Sequence, residues 1–290
     1  MHTLSMEGTC DLHIHGGPDV VDRIGTDLEI ARQAQEAGMK AIVLKSVIAP
    51  SYVRAWHTRQ QFPGLQVFGG VALDYHVGGI NPLAVEPCIR MGGKVVWMPT
   101  YHAYGHSLAF GCIGDFKYAG GDTVTELPPP IKAVDEDGAL SKDTLEVMAQ
   151  CRDGNIILAS GHLSTQETLT MAEGARRMGL KKFVVTHPFF KVPHMDVDTI
   201  GRLLELGAYI EFCANEMCPI PGSANLEDYV TCIRRFGSER MVLSSDAGHN
   251  RKGWPVEELR IFAQWLAYSG VPEETLHRML CETPAQLLDI

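Results

Sequence analysis

Eight short apolar runs, separated by amphipathic stretches, constrain the fold of this chain more than any other feature of its sequence. The runs lie at 9–14, 41–46, 66–73, 94–98, 156–160, 183–186, 208–212 and 241–245. Most are apolar almost throughout and rich in Val, Ile, Leu and Phe, which is typical of parallel strands covered on both faces. Eight strands that alternate with helices most simply close into a barrel, so we predict an α/β fold of the (β/α)8 TIM-barrel class.

Helix-capping signals between the runs support this alternation. One helix is expected to start with Asp27 as its cap and to end at Gly38. Another is capped by Ser164 or Thr165 and ends at Gly179. Further helices are predicted over 196–206, 254–269 and 272–288.

One connection is much longer than the others. The fourth strand ends near Pro99, and the next clear helix begins near Ser141. The stretch between them is rich in Gly and Pro, and 131–140 has the pattern of a hairpin with a Gly turn. Long connections inside a domain are usually functional. We therefore expect one barrel domain over residues 1–290 whose insertion, residues 105–140, is a candidate lid.

Composition excludes several classes of partner. The formal net charge of −10 argues against nucleic-acid binding, which needs a basic surface. No run reaches the roughly 20 apolar residues of a membrane span, and the first residues lack the features of a signal peptide. The eight cysteines are scattered without a Cys-x-x-Cys pair, which favours reduced thiols. We expect a cytoplasmic protein that acts on a small molecule, without nucleic-acid or membrane partners.

Metal-binding side chains collect where the predicted strands end. In a parallel barrel these ends share one rim, where the active sites of such enzymes lie. His13 and His15 are two residues apart and so share one face of the first strand. The other ionisable residues at strand ends are Lys45, His76, His102, His162, His187 and Asp246. Converging imidazoles and a carboxylate suit a divalent cation, so the sequence predicts a metal centre.

The ordered set of His-x-His on strand one, His on strands five and six, and Asp on strand eight resembles the amidohydrolase superfamily of metal-dependent hydrolases. That resemblance implies that His13, His15 and Asp246 bind the more buried metal. It also implies that His162 and His187 bind a second metal where one is present, and that Asp246 takes the proton from the metal-bound water. The segments similar to an uncharacterised branch of this superfamily are 11–19, 160–164 and 186–188.

We therefore expect one or two divalent ions per chain, with zinc foremost and manganese, iron or nickel as alternatives, because imidazole and carboxylate ligands suit all four. Barrels of the superfamily often pair, so a homo-oligomer is also an expectation.

Lys45 marks a departure from the superfamily pattern. Many two-metal members bridge their metals with a carboxylated Lys or a Glu from strand four, and strand four here offers neither. Lys45 on strand two could be carbamylated and bridge two metals. It could instead be a free ammonium that binds a substrate carboxylate or polarises a carbonyl. A structural ion pair with Asp19, Asp22 or Asp74 is the third interpretation.

Other residues near the rim are candidates for substrate contact. His76 and His102 could each bind the substrate or stabilise an oxyanion, and Arg23 could clamp an acidic group. Glu211 could orient a neighbouring histidine. His106, in the long insertion, is a further candidate.

The residues indicate hydrolysis by a metal-activated water of an amide, cyclic amide, lactone or ester of a small molecule. Asp246 would move the proton, and the metal, Lys45 or His76 would polarise the carbonyl. The main alternative is a mononuclear decarboxylase or hydratase of the same superfamily. Deamination is disfavoured because Thr165 stands where deaminases place a Glu. A phosphoesterase, and a barrel that binds without turnover, are also less favoured than hydrolysis or decarboxylation.

Overall fold

The structure is a computed structural model of the 290-residue chain and describes residues 3–114, 128–218 and 224–290. Within these ranges, eight strands form one parallel sheet whose spatial order follows the chain. They are β1 (Cys10–His15), β2 (Ala41–Lys45), β3 (Gln66–Ala72), β4 (Val95–Trp97), β5 (Ile157–Ala159), β6 (Phe183–Thr186), β7 (Tyr209–Cys213) and β8 (Met241–Ser244). The predicted α/β barrel is confirmed.

Backbone hydrogen bonds between β1 and the segment after β8 close the barrel. The amide of Asp246 donates to the carbonyl of His13 over 2.9 Å, and the amide of His15 donates to the carbonyl of Ala247 over 2.8 Å. All strands run the same way, so their C-terminal ends form one rim.

Helices alternate with the strands, and the four that the sequence predicts over 27–38, 165–179, 196–206 and 254–269 lie within two residues of those bounds. The helices are α1 (Asp27–Glu36), α2 (Tyr52–Arg59), α3 (Pro82–Arg90), α4 (Tyr104–Phe110), α5 (Lys142–Asp153), α6 (Thr165–Met178), α7 (Val197–Glu205), α8 (Leu226–Phe236), α9 (Pro255–Tyr268), α10 (Glu273–His277) and α11 (Thr283–Leu288). A π-helical segment, Arg278–Glu282, joins the last two, so the helix predicted over 272–288 consists of three segments. Among the described residues, none of the helices combines the length and apolarity that a membrane crossing needs.

The N-cap predicted for the first helix is wrong by one residue. Thr26 is the cap, because its hydroxyl accepts the amide of Glu29 while the Glu29 carboxylate accepts the amide of Thr26. Asp27 instead forms an ion pair with Arg54, whose Nε lies 2.7 Å from its carboxylate.

The insertion after β4 contains a helix that the sequence did not predict. Helix α4 begins directly after the rim, and its first amide, that of Tyr104, donates to the carbonyl of Ile131 over 2.8 Å. Val134 and Leu140 pair in antiparallel fashion around Gly138, whose φ is 81°, in the position predicted for a hairpin. The part of the candidate lid at 115–127 lies outside the described residues.

Candidate metal centre

A β-bulge in β1 turns the His-x-His pair into the barrel. Asp11 pairs with Ile42 and Ile14 with Leu44, so three steps on β1 match two steps on β2. Strict alternation would place Leu12 and His13 on opposite faces. The extra residue places both inside, where Leu12 packs in the barrel interior and the ring of His13 lies 6.1 Å from that of Trp97. Re-aiming a side chain beside a site is a common role of bulges.

Asp11 holds this bulge in place. Its Oδ1 accepts the amide of His13 over 3.0 Å and the amide of Ser245 over 3.1 Å, which ties β1 to the end of β8. The side chain is fully buried, and burial raises the pKa of Asp11 to about 7. Its Oδ2 has no hydrogen-bond partner in the described part of the chain.

Asp246 brings the two histidines of β1 together. Its Oδ1 lies 3.1 Å from Nε2 of His13 and 3.0 Å from Nε2 of His15. Ligand atoms that share a metal through bonds of about 2.0–2.1 Å lie roughly 3 Å apart, and these distances match that spacing. His13 and Asp246, together with Cys213, also offer three ligand atoms within 4.8 Å of one another. The thiol is a further nearby donor that the sequence did not single out.

The hydrogen bonds of His13 test whether a cation fits here. Nδ1 of His13 lies 3.4 Å from the carboxylate of Glu211, which accepts hydrogen bonds and donates none when ionised. The proton of the neutral ring therefore sits on Nδ1, and Nε2 presents a lone pair toward the carboxylate of Asp246. The lone pair and the carboxylate oxygen both suit a cation, and the Nζ of Lys45 already lies 3.0 Å from this Nε2. The donor set therefore fits a divalent metal.

Asp246 is held ionised and in a strained conformation. Burial by itself raises the pKa of Asp246, but the neighbouring His13 and His15 outweigh it and hold the pKa well below the usual range. Nδ2 of Asn215 donates to its Oδ2 over 2.8 Å. Its φ of 47°, like the 33° of His187, lies in the left-handed region that side chains other than Gly rarely adopt. Such strain concentrates at functional sites.

Lys45 lies against the same imidazole. Its Nζ is 3.0 Å from Nε2 of His13 and 5.4 Å from the centre of the Trp97 ring, and burial lowers its pKa. The structural ion pair considered for Lys45 is not formed, since no carboxylate of the described residues lies within 4.0 Å of its Nζ. Asp19 pairs with Arg23 instead, and Asp74 with His102.

His162 and His187 lie beside this group, at the ends of β5 and β6. Their ring centres are 5.0 Å apart, and the ring of His187 lies 6.1 Å from that of His13. Burial lowers the pKa of His187 to about 4, and burial with the neighbouring His187 and His106 depresses the pKa of His162 further. Both rings are therefore neutral, which metal binding requires.

His76 and His102 form a separate cluster at the ends of β3 and β4. Asp74 is fully buried, and its Oδ1 accepts Nδ1 of His102 over 3.0 Å, as well as the amides of His102 and Thr100. These bonds outweigh burial and hold the pKa of Asp74 below its usual value. The ring of His76 meets that of His102 edge-on, with centres 5.2 Å apart, and burial lowers its pKa.

Arg23 lies at the C-terminal rim of the barrel, beside His15. Its guanidinium binds the carboxylate of Asp19 through Nη2 at 2.6 Å and Nε at 3.0 Å, and Nη2 lies 3.3 Å from Nδ1 of His15. Arg23 and burial both depress the pKa of His15, with burial the larger cause. Arg23, which the sequence predicts as a clamp for an acidic group, thus lies beside His15 with the carboxylate of Asp19 bound to it.

The structure brings six predicted site residues into one cluster: His13, His15, Lys45, His162, His187 and Asp246. The sequence did not predict the hydrogen bonds through which Asp11, Asp74 and Asn215 support the site, because those bonds depend on the conformation of the loops. The carboxylate of Glu211 does contact a histidine, as its position inside β7 suggested.

Solved structures share this fold over nearly its whole length. An amidohydrolase from Pseudomonas aeruginosa is 12% identical, with 97% of this chain and 95% of that chain covered and a TM-score of 0.62. A zinc-bound amidohydrolase from Burkholderia multivorans is 11% identical, with 97% and 99% covered and a TM-score of 0.60. A dihydroxybenzoic acid decarboxylase from Polaromonas sp. JS666, with bound manganese and 2-nitroresorcinol, is 12% identical, with 98% and 97% covered and a TM-score of 0.60.

These likenesses show the fold: the chain shares the barrel of these amidohydrolases and of the decarboxylase. Residues 8–211 match the family of unknown function DUF6282, and the chain belongs to that family. No curated protein sequence matches the chain.

Proposed function

We propose that this protein is a metal-dependent hydrolase that cleaves an amide, cyclic amide, lactone or ester bond of a small molecule. The observation that carries the proposal is the contact of Asp246 Oδ1 with Nε2 of His13 and Nε2 of His15, at 3.1 and 3.0 Å. A proton on His13 Nδ1, facing Glu211, leaves the lone pair of Nε2 to bind a metal in place of the N–H of Lys45.

His13, His15 and Asp246 would hold the ion, with His162 and His187 beside them. When bound, a divalent metal lowers the pKa of a bound water toward about 7 and polarises the carbonyl under attack. Asp246 is ionised at neutral pH, so its carboxylate can accept the proton that water releases and pass it to the leaving group. Asn215 fixes the orientation of that carboxylate through Oδ2.

Lys45 and Arg23 supply hydrogen-bond donors on the substrate side. The buried ammonium group of Lys45 has two N–H bonds beyond the one that meets His13, and these can bind a carbonyl or carboxylate oxygen. An unprotonated Lys45 can instead take up CO2 and bridge two metals as a carbamate. Zinc and manganese are the first metals to test, because both occur in similar solved structures.

A mononuclear decarboxylase is the second candidate. The observation that favours it is that β4 ends in Trp97 and contributes neither a Lys nor a carboxylate to bridge two metals. A cationic Lys45 beside one metal would then bind the carboxylate of the substrate. A decarboxylase is also among the solved structures with this fold.

Metal content tests the proposal directly. We would measure zinc and manganese per chain in protein purified without chelator, and repeat this for Lys45→Ala with bicarbonate present. About two metals in the wild type, falling to one or none in the variant, favours carbamate-bridged hydrolysis. About one metal in both proteins favours a cationic Lys45. A chain that binds neither metal contradicts the proposed function.

Turnover then separates the two reactions. The zinc- and manganese-loaded proteins would be assayed on lactones and esters by proton release, on cyclic amides by the amine that ring opening frees, and on aromatic carboxylates by CO2 release. Hydrolysis that disappears in Asp246→Asn supports the first candidate. CO2 release without any hydrolysis overturns it in favour of the second.

A further inference from the structure

His106 is the one histidine of helix α4, in the insertion that follows β4 directly. It is fully buried, and its Nδ1 lies 2.9 Å from Nδ1 of His162. The two rings are tilted by only 13°, with centres 5.1 Å apart. His162 lies three residues after the end of β5, so this contact joins the insertion to the cluster at the rim.

The backbone is shaped to make this contact. A Cβ on Gly105 would lie 2.4 Å from the amide nitrogen of Ser164 and 2.5 Å from the carbonyl oxygen of His162. Only glycine lets α4 approach the loop after β5 this closely. On the other side, the amide of Tyr104 donates to the carbonyl of Ile131, and Ala103 pairs with Ile131, so the start of α4 is held between two segments.

The separation of the two nitrogen atoms suits two ligands of one ion. With metal–nitrogen bonds of about 2.0–2.1 Å, neighbouring ligands in tetrahedral or octahedral sites lie roughly 2.9–3.4 Å apart. The ring of His187, 5.0 Å from that of His162, adds a third buried imidazole nearby. The histidine at the end of β4, His102, is bound to Asp74, and His106 stands in the first helix after that strand.

We propose that His106 is a metal ligand, which binds a second divalent ion together with His162 through their Nδ1 atoms. This inference rests on the proposed metal-dependent function and adds to it a ligand from the insertion. The insertion then contributes directly to the metal centre.

Cobalt(II) binding tests this without a substrate, because its visible absorbance reports the ligands. Wild type, His106→Ala, His106→Gln, His162→Ala and the double His106→Ala/His162→Ala variant would be titrated. Leu108→Ala is the matched control, since Leu108 is on the same helix and 63% exposed. Thermal unfolding of each variant shows that it is folded, and the Gln variant preserves more of the side-chain volume if the Ala variant does not fold.

We expect the wild type to bind two equivalents, and each His106 variant to bind the second at least about tenfold more weakly with an altered spectrum. The double variant should bind the second equivalent of cobalt no more weakly than His162→Ala does. An unchanged second equivalent and spectrum in both His106 variants would overturn the inference. The inference would also be overturned if the wild type bound a single equivalent of cobalt that depended on His13 and not on His162. That result would leave the proposed function intact. Absence of any cobalt binding would contradict both.

Discussion

The two ends of the barrel differ in how their ionisable side chains are paired. At the N-terminal end, Asp289 lies 2.7 Å from the ammonium of Lys182 and 3.6 Å from that of Lys94, and Asn155 donates to the same carboxylate. These groups are opposite in charge and partly exposed. At the C-terminal rim, buried neutral imidazoles face one another, and Lys45 has a histidine as its neighbour.

This difference indicates that the N-terminal end contributes to stability and the C-terminal rim to function. In an ion pair such as that of Asp289, each charge is balanced by its partner, and no bound ligand is required. The rim instead buries the neutral rings of His162 and His187 beside the ionised Asp246, an arrangement whose desolvation costs stability and which a bound cation would offset. The comparison can be tested by changing one end and measuring both activity and stability.

The largest effect is expected from His13→Ala and Asp246→Asn. Each should lower turnover at least about 1,000-fold, because each removes a ligand on which the activated water depends. The metal-free variants should remain folded but unfold at a somewhat lower urea concentration than the wild type, because His13→Ala leaves a cavity and Asp246→Asn removes the contacts of the carboxylate with His13 and His15. Normal turnover in either variant would contradict the proposed metal centre.

Acid should destabilise the metal-free protein through its buried histidines. The pKa of His187 is about 4 in the fold and 6.5 ordinarily, so the unfolded chain takes up the proton first. Stability is complete above about pH 6.5 and falls as the pH drops toward 4, by on the order of 3 kcal/mol for this residue. Urea unfolding between pH 7.5 and 4.5 measures the slope. His187→Gln should flatten it, whereas an unchanged slope would contradict burial of a neutral His187.

A bound metal should stabilise the protein through the C-terminal rim, and a substitution at the N-terminal end should not change that stabilisation. Zinc at 100 times its dissociation constant adds about 2.7 kcal/mol, which corresponds to a rise of roughly 5–10 °C in Tm. Differential scanning calorimetry with zinc and then with a chelator measures this rise. His13→Ala should show almost none of it, whereas Asp289→Ala should show all of it. A full rise in His13→Ala would place the metal elsewhere.

The smallest effect is expected at the N-terminal end. Asp289→Ala removes the pairs with Lys182 and Lys94, and should cost at most about 1 kcal/mol of unfolding free energy because these groups are partly exposed. Turnover and metal content should match the wild type. A loss of turnover larger than the loss of folded protein would show that the two ends are coupled.

The fold and the composition of the rim could be predicted from the sequence because both depend on local patterns. Near-continuous apolar runs of four to eight residues predict buried parallel strands, and all eight were found within two residues of their predicted bounds. The ends of parallel strands share a rim, so the positions of His162, His187 and Asp246 directly after three strands predicted a common site.

The tertiary structure decided how these side chains meet. The bulge in β1, held by Asp11, determines that Leu12 and His13 both point inward, and strict alternation does not predict it. The contact of His106 with His162 depends on the path of an insertion whose helix packs through Gly105 against another loop. Such contacts join residues far apart in the chain, and their free energy comes from packing that no local pattern records.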